Sequence, residues 1–165
     1  MLEIVTFASS FPIQRSAIIG VMTPDSQPVT LLEKYESWTL LSSAKLGRLV
    51  VVIDGRPEIF PINFVTQRGT VLFRTAEGTK LFGAVVSDQV LFEADDYNDI
   101  GGWSVVVRGA AQVLSTSVDI DEADGAGLYP WIPTLKLHYV RIIPAQITGR
   151  RFVFGREPDG GHVPG

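Results

Sequence analysis

Residues 46–75 carry three apolar runs joined by two very short reversals, and this spacing limits the fold more than any other feature of the chain. Val50, Val51, Val52 and Ile53 run into Asp54-Gly55, where Gly tolerates positive φ and Asp can bond its own backbone. A second run, residues 59–65, meets Gln67-Arg68-Gly69, and a third, residues 70–75, delivers the chain into Ala76-Glu77-Gly78-Thr79-Lys80. Parallel strands need a crossover of about a dozen residues or more, so connections this short force an antiparallel meander.

The remainder supplies further strands and a few helices. Residues 89–94, 103–114, 137–143 and 145–154 have strand character, the last two separated by Pro144. In residues 103–114, Val105 and Val107 share one face and Ser104, Val106 and Arg108 the other, while Gly109-Ala110-Ala111 would bend the strand or admit a close neighbour. Thr30-Leu31-Leu32-Glu33 has capping-box spacing and predicts a helix from there to about residue 43. Its buried stripe would hold Leu31, Leu32, Tyr35, Trp38, Leu40 and Leu41, with Trp38 as core, and it would lie across one mouth of a barrel. Residues 79–86 and 117–123 read as short helices, and residues 125–133, with Trp131 between prolines, as a loop. Asp95, Asp96, Asn98 and Asp99 form an acidic turn region that lacks EF-hand spacing and reads as solvated. The whole is a mainly β, antiparallel barrel with a few helices; no Rossmann fingerprint is present.

With 165 residues, 45% apolar and 19% charged, the chain is expected to form one globular domain over residues 30–155, with an N-terminal arm at 1–29 and a tail at 156–165. The absence of cysteine excludes disulfides, thiolate metal sites and cysteine nucleophiles, and two histidines make a His-rich metal site a poor expectation. A formal charge of −4 offers no electrostatic reason for a nucleic-acid partner. No apolar run approaches the roughly 20 residues of a membrane span, and residues 17–22 are too short for a signal segment, so a cytoplasmic location is expected.

The chemistry concentrates at the end of the meander. A phosphate is held by backbone N–H groups it can approach closely, by hydroxyls and by a cation, and Thr75, Gly78, Thr79 and Lys80 offer all three within six residues. Taken alone, such a Gly-Thr-Lys is more often an ordinary solvated strand-to-helix turn.

The segments GRLVVVIDGRPEIFPINF and GTVLFRTAEGTKL, with GWSVVVRGAAQVL and VRIIPAQITGRRF later, resemble the pyridoxamine 5'-phosphate oxidase-like flavoproteins over residues 31–154. This resemblance implies an antiparallel split β-barrel of FMN-binding type and a homodimer with cofactor at the subunit interface. It places Phe60, Pro61, Ile62, Asn63 and Phe64 along the flavin ring by their backbone, and Thr75, Gly78, Thr79 and Lys80 around the phosphate. From the second subunit it brings Trp103 and Ser104, and near the ring edge Arg150 or Arg151, though paired arginines are also ordinary solvated surface. Phe60 stands where the true oxidases usually carry a phosphate-binding Arg, and their terminal Trp and Arg-His signature is missing, which argues against pyridoxamine phosphate as substrate. The implied activity is an FMN-dependent oxidoreductase acting on a small organic substrate. The alternatives are a deazaflavin-dependent reductase and a non-enzymatic flavin- or haem-binding protein. No acid–base residue is assigned, and Glu58, alternating with Ile59, reads as surface.

Overall fold

The computed structural model describes residues 27–76, 80–84, 89–129 and 137–155. Along them run β1 (Val29–Leu32), α1 (Lys34–Ser43), β2 (Leu46–Ile53), β3 (Arg56–Gln67), β4 (Thr70–Thr75), α2 (Lys80–Ala84), β5 (Val90–Asn98), β6 (Gly101–Val113), α3 (Ser117–Asp124) and β7 (His138–Val153). The strands lie in the order β1-β7-β4-β3-β2-β5-β6, all pairs antiparallel, and a further β6–β7 pairing closes the sheet into a barrel. Both reversals of the meander are as expected from sequence. Asp54 and Gly55 sit at φ 50 and 75, Arg68 and Gly69 at φ 49 and 71, the left-handed pairs that a two-residue hairpin requires.

The barrel is split along β7. One edge of β7 pairs with β6 from Val140 to Val153, whereas the other is shared: His138–Ile142 pair with β4, and Gly149–Phe152 pair with β1. Inward-pointing residues alternate along every strand and fill the interior; Leu49, Phe64, Phe73, Phe92, Val107 and Ile142 are all fully buried. Phe64 and Phe92 meet edge to face at 4.7 Å between centroids. Burying each such large side chain contributes on the order of 1.5–3 kcal/mol, so the interior carries the fold's stability.

Four local expectations are corrected. Thr30 lies in β1, paired with Arg151, and the helix begins three residues later, where the Glu33 N–H donates to Glu36 Oε2 at 2.9 Å. Leu31 and Tyr35 are therefore exposed, and the buried face of α1 is made by Ser37 and Leu41, with Trp38 and Leu40 packed against the core. Asp95 and Asp96 belong to β5, paired with Ser104 and Trp103, and the turn is confined to Asp99-Ile100, where Asn98 Oδ1 accepts from the N–H groups of Ile100 and Gly101. Pro144 does not end a strand: β7 continues through it with a bulge opposite Arg108/Gly109, which absorbs the missing N–H. Ile59 is exposed on the outer face, because the inward residues of β3 are Phe60, Ile62 and Phe64; Glu58 is exposed as expected.

Candidate functional site

β3 is longer than its partners. β2 pairs with it over Arg56–Asn63, and β4 pairs with its other edge only over Phe64–Gln67. Among the described residues, no strand covers the β4-side edge of residues 56–63. Ile59 and Asn63 turn both N–H and C=O toward the open side, and Pro57 and Pro61, which lack an N–H, turn a C=O alone. Buried backbone polar groups demand partners, so an open edge beside a barrel mouth is a ready surface for a flat ligand that carries donors and acceptors. The inner side of this edge is apolar, with Phe60 half-buried and Ile62 and Phe64 buried; on the outer side Pro61 is exposed and Asn63 half-buried.

The edge is open because β4 departs from β3 after the Phe64–Phe73 pair. β4 ends at Thr75, which points inward, is 3% exposed and pairs across to His138 on β7. Lys80 is exposed at the first position of α2, and Leu81 packs against the barrel core, so this short helix is seated on the mouth into which β4 leads. Gly78 and Thr79 lie outside the described residues. Thr75 closes β4 and Lys80 opens α2 on either side of that segment.

The second group of candidates lies on β6 and β7. Trp103 and Arg151 are cross-strand neighbours and line, with Asp96, Tyr97, Gly102 and Phe152, a hollow of ≈ 880 Å³. Trp103 is 8% exposed and belongs to the barrel core, whereas Arg151 is exposed. Ser104 and Arg150 are paired on the outer face, in a row that continues to Asp95 on one side and Leu31 on the other. Trp103 and Arg151 therefore share one face and Ser104 and Arg150 the opposite one. Within one chain, neither pair is brought to the β3 edge.

The outer face of the neighbouring strands β2 and β5 holds a triad of one cation and two carboxylates. Arg48, beside Pro61 on β3, donates to Glu93 at 2.8 Å and also to Asp95. Burial raises the Glu93 pKa above the usual carboxylate range, opposed by the Arg48 hydrogen bond. Further along, a groove of ≈ 690 Å³ runs over β2, β5, β6 and β7 past Val50, Leu91, Arg108, Ala110, Ile143 and Pro144.

Sequence reasoning missed the support on the other flank of β3. α3 is capped by Thr116, whose hydroxyl accepts from the Asp119 N–H, and it packs on the outside of β4 and β7 through Ala123 against Leu72 and Tyr139. Polar contacts fix its place: Arg141 donates to Gln67 Oε1 at 2.9 Å, Gln67 Nε2 donates to the Glu122 carbonyl at 2.8 Å, and the Tyr139 hydroxyl donates to Asp124 at 2.6 Å. The chain then turns at Gly127, φ 68, buries Leu128 in the same cluster, and reaches Tyr129. There the Asn63 side-chain amide donates to the Tyr129 carbonyl at 2.9 Å. A glycine-bounded stretch ending in Leu128-Tyr129 was the signal available in the sequence.

A closed antiparallel barrel, split along one strand and with an open strand edge at its mouth, defines the class of split β-barrels. The sequence pattern of pyridoxamine 5'-phosphate oxidase matches residues 33–151, and the chain belongs to that family. It is similar in structure to an FAD binding protein from Mycobacterium smegmatis, with 53% identity and a TM-score of 0.69 over 76% of this chain and 99% of that one. Two uncharacterised proteins of Mycobacterium tuberculosis are also similar. One is 59% identical over 95 residues, 58% of this chain and 86% of that protein; the other is 33% identical over 135 residues, 78% of this chain and 88% of that protein.

Among the described residues no helix is long and apolar enough to cross a membrane, and no group of three or more His, Asp or Glu side chains is placed to hold a metal ion.

Proposed function

We propose that the protein binds a flavin nucleotide along the open edge of β3 and works as an FMN-dependent oxidoreductase on a small organic substrate. The observation that carries this reading is the uncovered edge at residues 60–63, left where β4 parts from β3 and leads to Thr75 and Lys80. A flavin ring has a polar edge of alternating donors and acceptors and an apolar benzenoid end, which suits a backbone edge bordered by Phe60, Ile62 and Phe64. The residues present therefore fit the group.

In this reading the backbone of Phe60, Pro61, Ile62, Asn63 and Phe64 orients the ring, and Lys80 meets the phosphate with Thr75, Gly78 and Thr79. Two subunits assemble as a homodimer, and Trp103, Ser104, Arg150 and Arg151 reach the ring from the second copy. That arrangement accounts for candidates on strands that are not neighbours of β3 within one chain. When bound, the flavin supplies the electron transfer; the protein positions it and keeps water from its face. The M. smegmatis neighbour, an FAD binding protein, supports a flavin over a deazaflavin and brings FAD beside FMN as the form to test. A non-catalytic flavin carrier is the second reading, favoured by a β3 edge of Phe, Pro, Ile, Asn and Phe, which offers no titratable side chain.

The test is the absorption spectrum and mass of the chromophore that co-purifies, followed by titration with FMN, FAD and a deazaflavin. Flavin bands and a phosphate-bearing flavin are expected. A colourless protein that takes up none of the three would overturn the reading. Bound flavin that is reduced by neither nicotinamide nor deazaflavin donors would leave the carrier.

A further inference from the structure

Asn63 is the outward-pointing residue of β3 at the point where the strand edge opens, and its side chain is engaged in holding the loop that follows α3. That loop runs over the outer face of β3: Leu128 is buried with Leu72 and packs beside Val65, and the next residue, Tyr129, has its carbonyl 2.9 Å from Asn63 Nδ2. Val65 and Asn63 are successive outward positions of β3, so from Leu128 to Tyr129 the chain advances along the strand toward the open edge. Anchoring is provided on both sides of the peptide, by Leu128 in the apolar cluster and by the Asn63 amide. The Tyr129 side chain is nevertheless 80% exposed. An aromatic residue whose backbone is pinned at a ligand edge, with its ring left to solvent, is a preorganised contact surface: the cost of ordering the loop has been met before anything binds.

We infer that Tyr129 is a binding residue of the flavin site, an aromatic wall packed against the ring held on the β3 edge, and that Asn63 is its positioning residue. The inference rests on the flavin reading and deepens it, because it gives the bound ring a partner from the α3 loop that neither strand supplies. Offset or edge packing of two aromatic groups adds a modest affinity beyond area buried. It also has an optical consequence. A phenol or indole in contact with an isoalloxazine quenches its emission by transient electron donation to the excited ring, and a benzene ring does not.

The experiment uses the full chain loaded with FMN, with Trp103→Phe as the background so that the indole placed at the ring from the second copy does not quench, and compares Tyr129→Phe, Tyr129→Trp, Tyr129→Ala and Asn63→Leu by emission and by titration. The background chain and Tyr129→Trp are expected to quench bound FMN. Tyr129→Phe is expected to keep affinity but raise emission. Tyr129→Ala is expected to raise emission and lose about 2- to 12-fold in affinity. Asn63→Leu, which frees the loop, is expected to lengthen the emission lifetime with Tyr129 still present. A merely structural tyrosine would not separate Phe from Trp in this way. Emission unchanged in Tyr129→Phe and Tyr129→Ala, with FMN still bound, would overturn the inference and leave the flavin reading standing; a wild-type chain that binds no flavin would overturn both.

Discussion

The Tyr139 hydroxyl donates to the Asp124 carboxylate at 2.6 Å, tying the barrel strand β7 to the last residue of α3. Tyr139 is buried among Leu72, Ala123 and Leu128, and the Arg74 guanidinium lies over its ring at 4.9 Å from the centroid. Tyr139→Phe keeps the ring and its packing and removes the hydrogen bond alone. Because Asp124 is exposed, water can replace the lost donor. Destabilisation of about 0.5–1.5 kcal/mol is expected, read from the urea midpoint at constant slope.

The same residue gives a pH dependence. Burial raises the Tyr139 pKa above its ordinary value of 10.0, the Asp124 hydrogen bond raises it further, and Arg74 opposes both. The folded state therefore holds the phenolic proton more tightly than the unfolded chain. This stabilisation is fully present below about pH 10 and declines as pH rises through the folded pKa. The stability gap between wild type and Tyr139→Phe should be flat from pH 7 to 9 and narrow above pH 10. A gap that widened with rising pH would contradict the sign.

Gly109 marks the bulge that lets β7 pass Pro144. A Cβ at this position would lie 2.0 Å from the Ile143 carbonyl oxygen, a backbone atom that can move only with the strand. Gly109→Ala should cost about 1–3 kcal/mol through displaced β6–β7 pairing. Thermal unfolding followed by circular dichroism checks it: an unchanged midpoint would mean that the bulge is softer than its geometry implies.

What was legible in the chain was what depends on neighbours in sequence. Asp54-Gly55 and Arg68-Gly69 specify their own reversals, and the alternation around Val105 and Val107 survives intact in β6. Thr30 was misjudged because its partner, Arg151, lies on the last strand, so a good local capping pattern gave way to pairing at long range. Asp95 and Asp96 read locally as loop, and only their pairing with Ser104 and Trp103 on β6, with Arg48 of β2 beside Asp95, makes them strand. The site divides in the same way. Phe60 to Phe64 could be picked out by resemblance, but that their edge lies open depends on where β4 leaves, and Tyr129 depends on an amide from Asn63 across the fold.

Lys80 carries the sharpest prediction for the phosphate. It is exposed at the start of α2 and, among the described residues, makes no ion pair; the neighbouring Leu81 keeps the helix seated on the core. Lys80→Ala should therefore leave the urea midpoint unchanged while weakening FMN. A charge-assisted contact is worth about 1.5–3 kcal/mol, or roughly 10- to 150-fold in Kd. Riboflavin, which has the same ring and no phosphate, provides the control. If Lys80 meets the phosphate, FMN loses affinity and riboflavin does not, so the ratio of the two constants falls. Equal losses for both ligands would place Lys80 against the ring instead, and no loss for either would move the phosphate away from this turn.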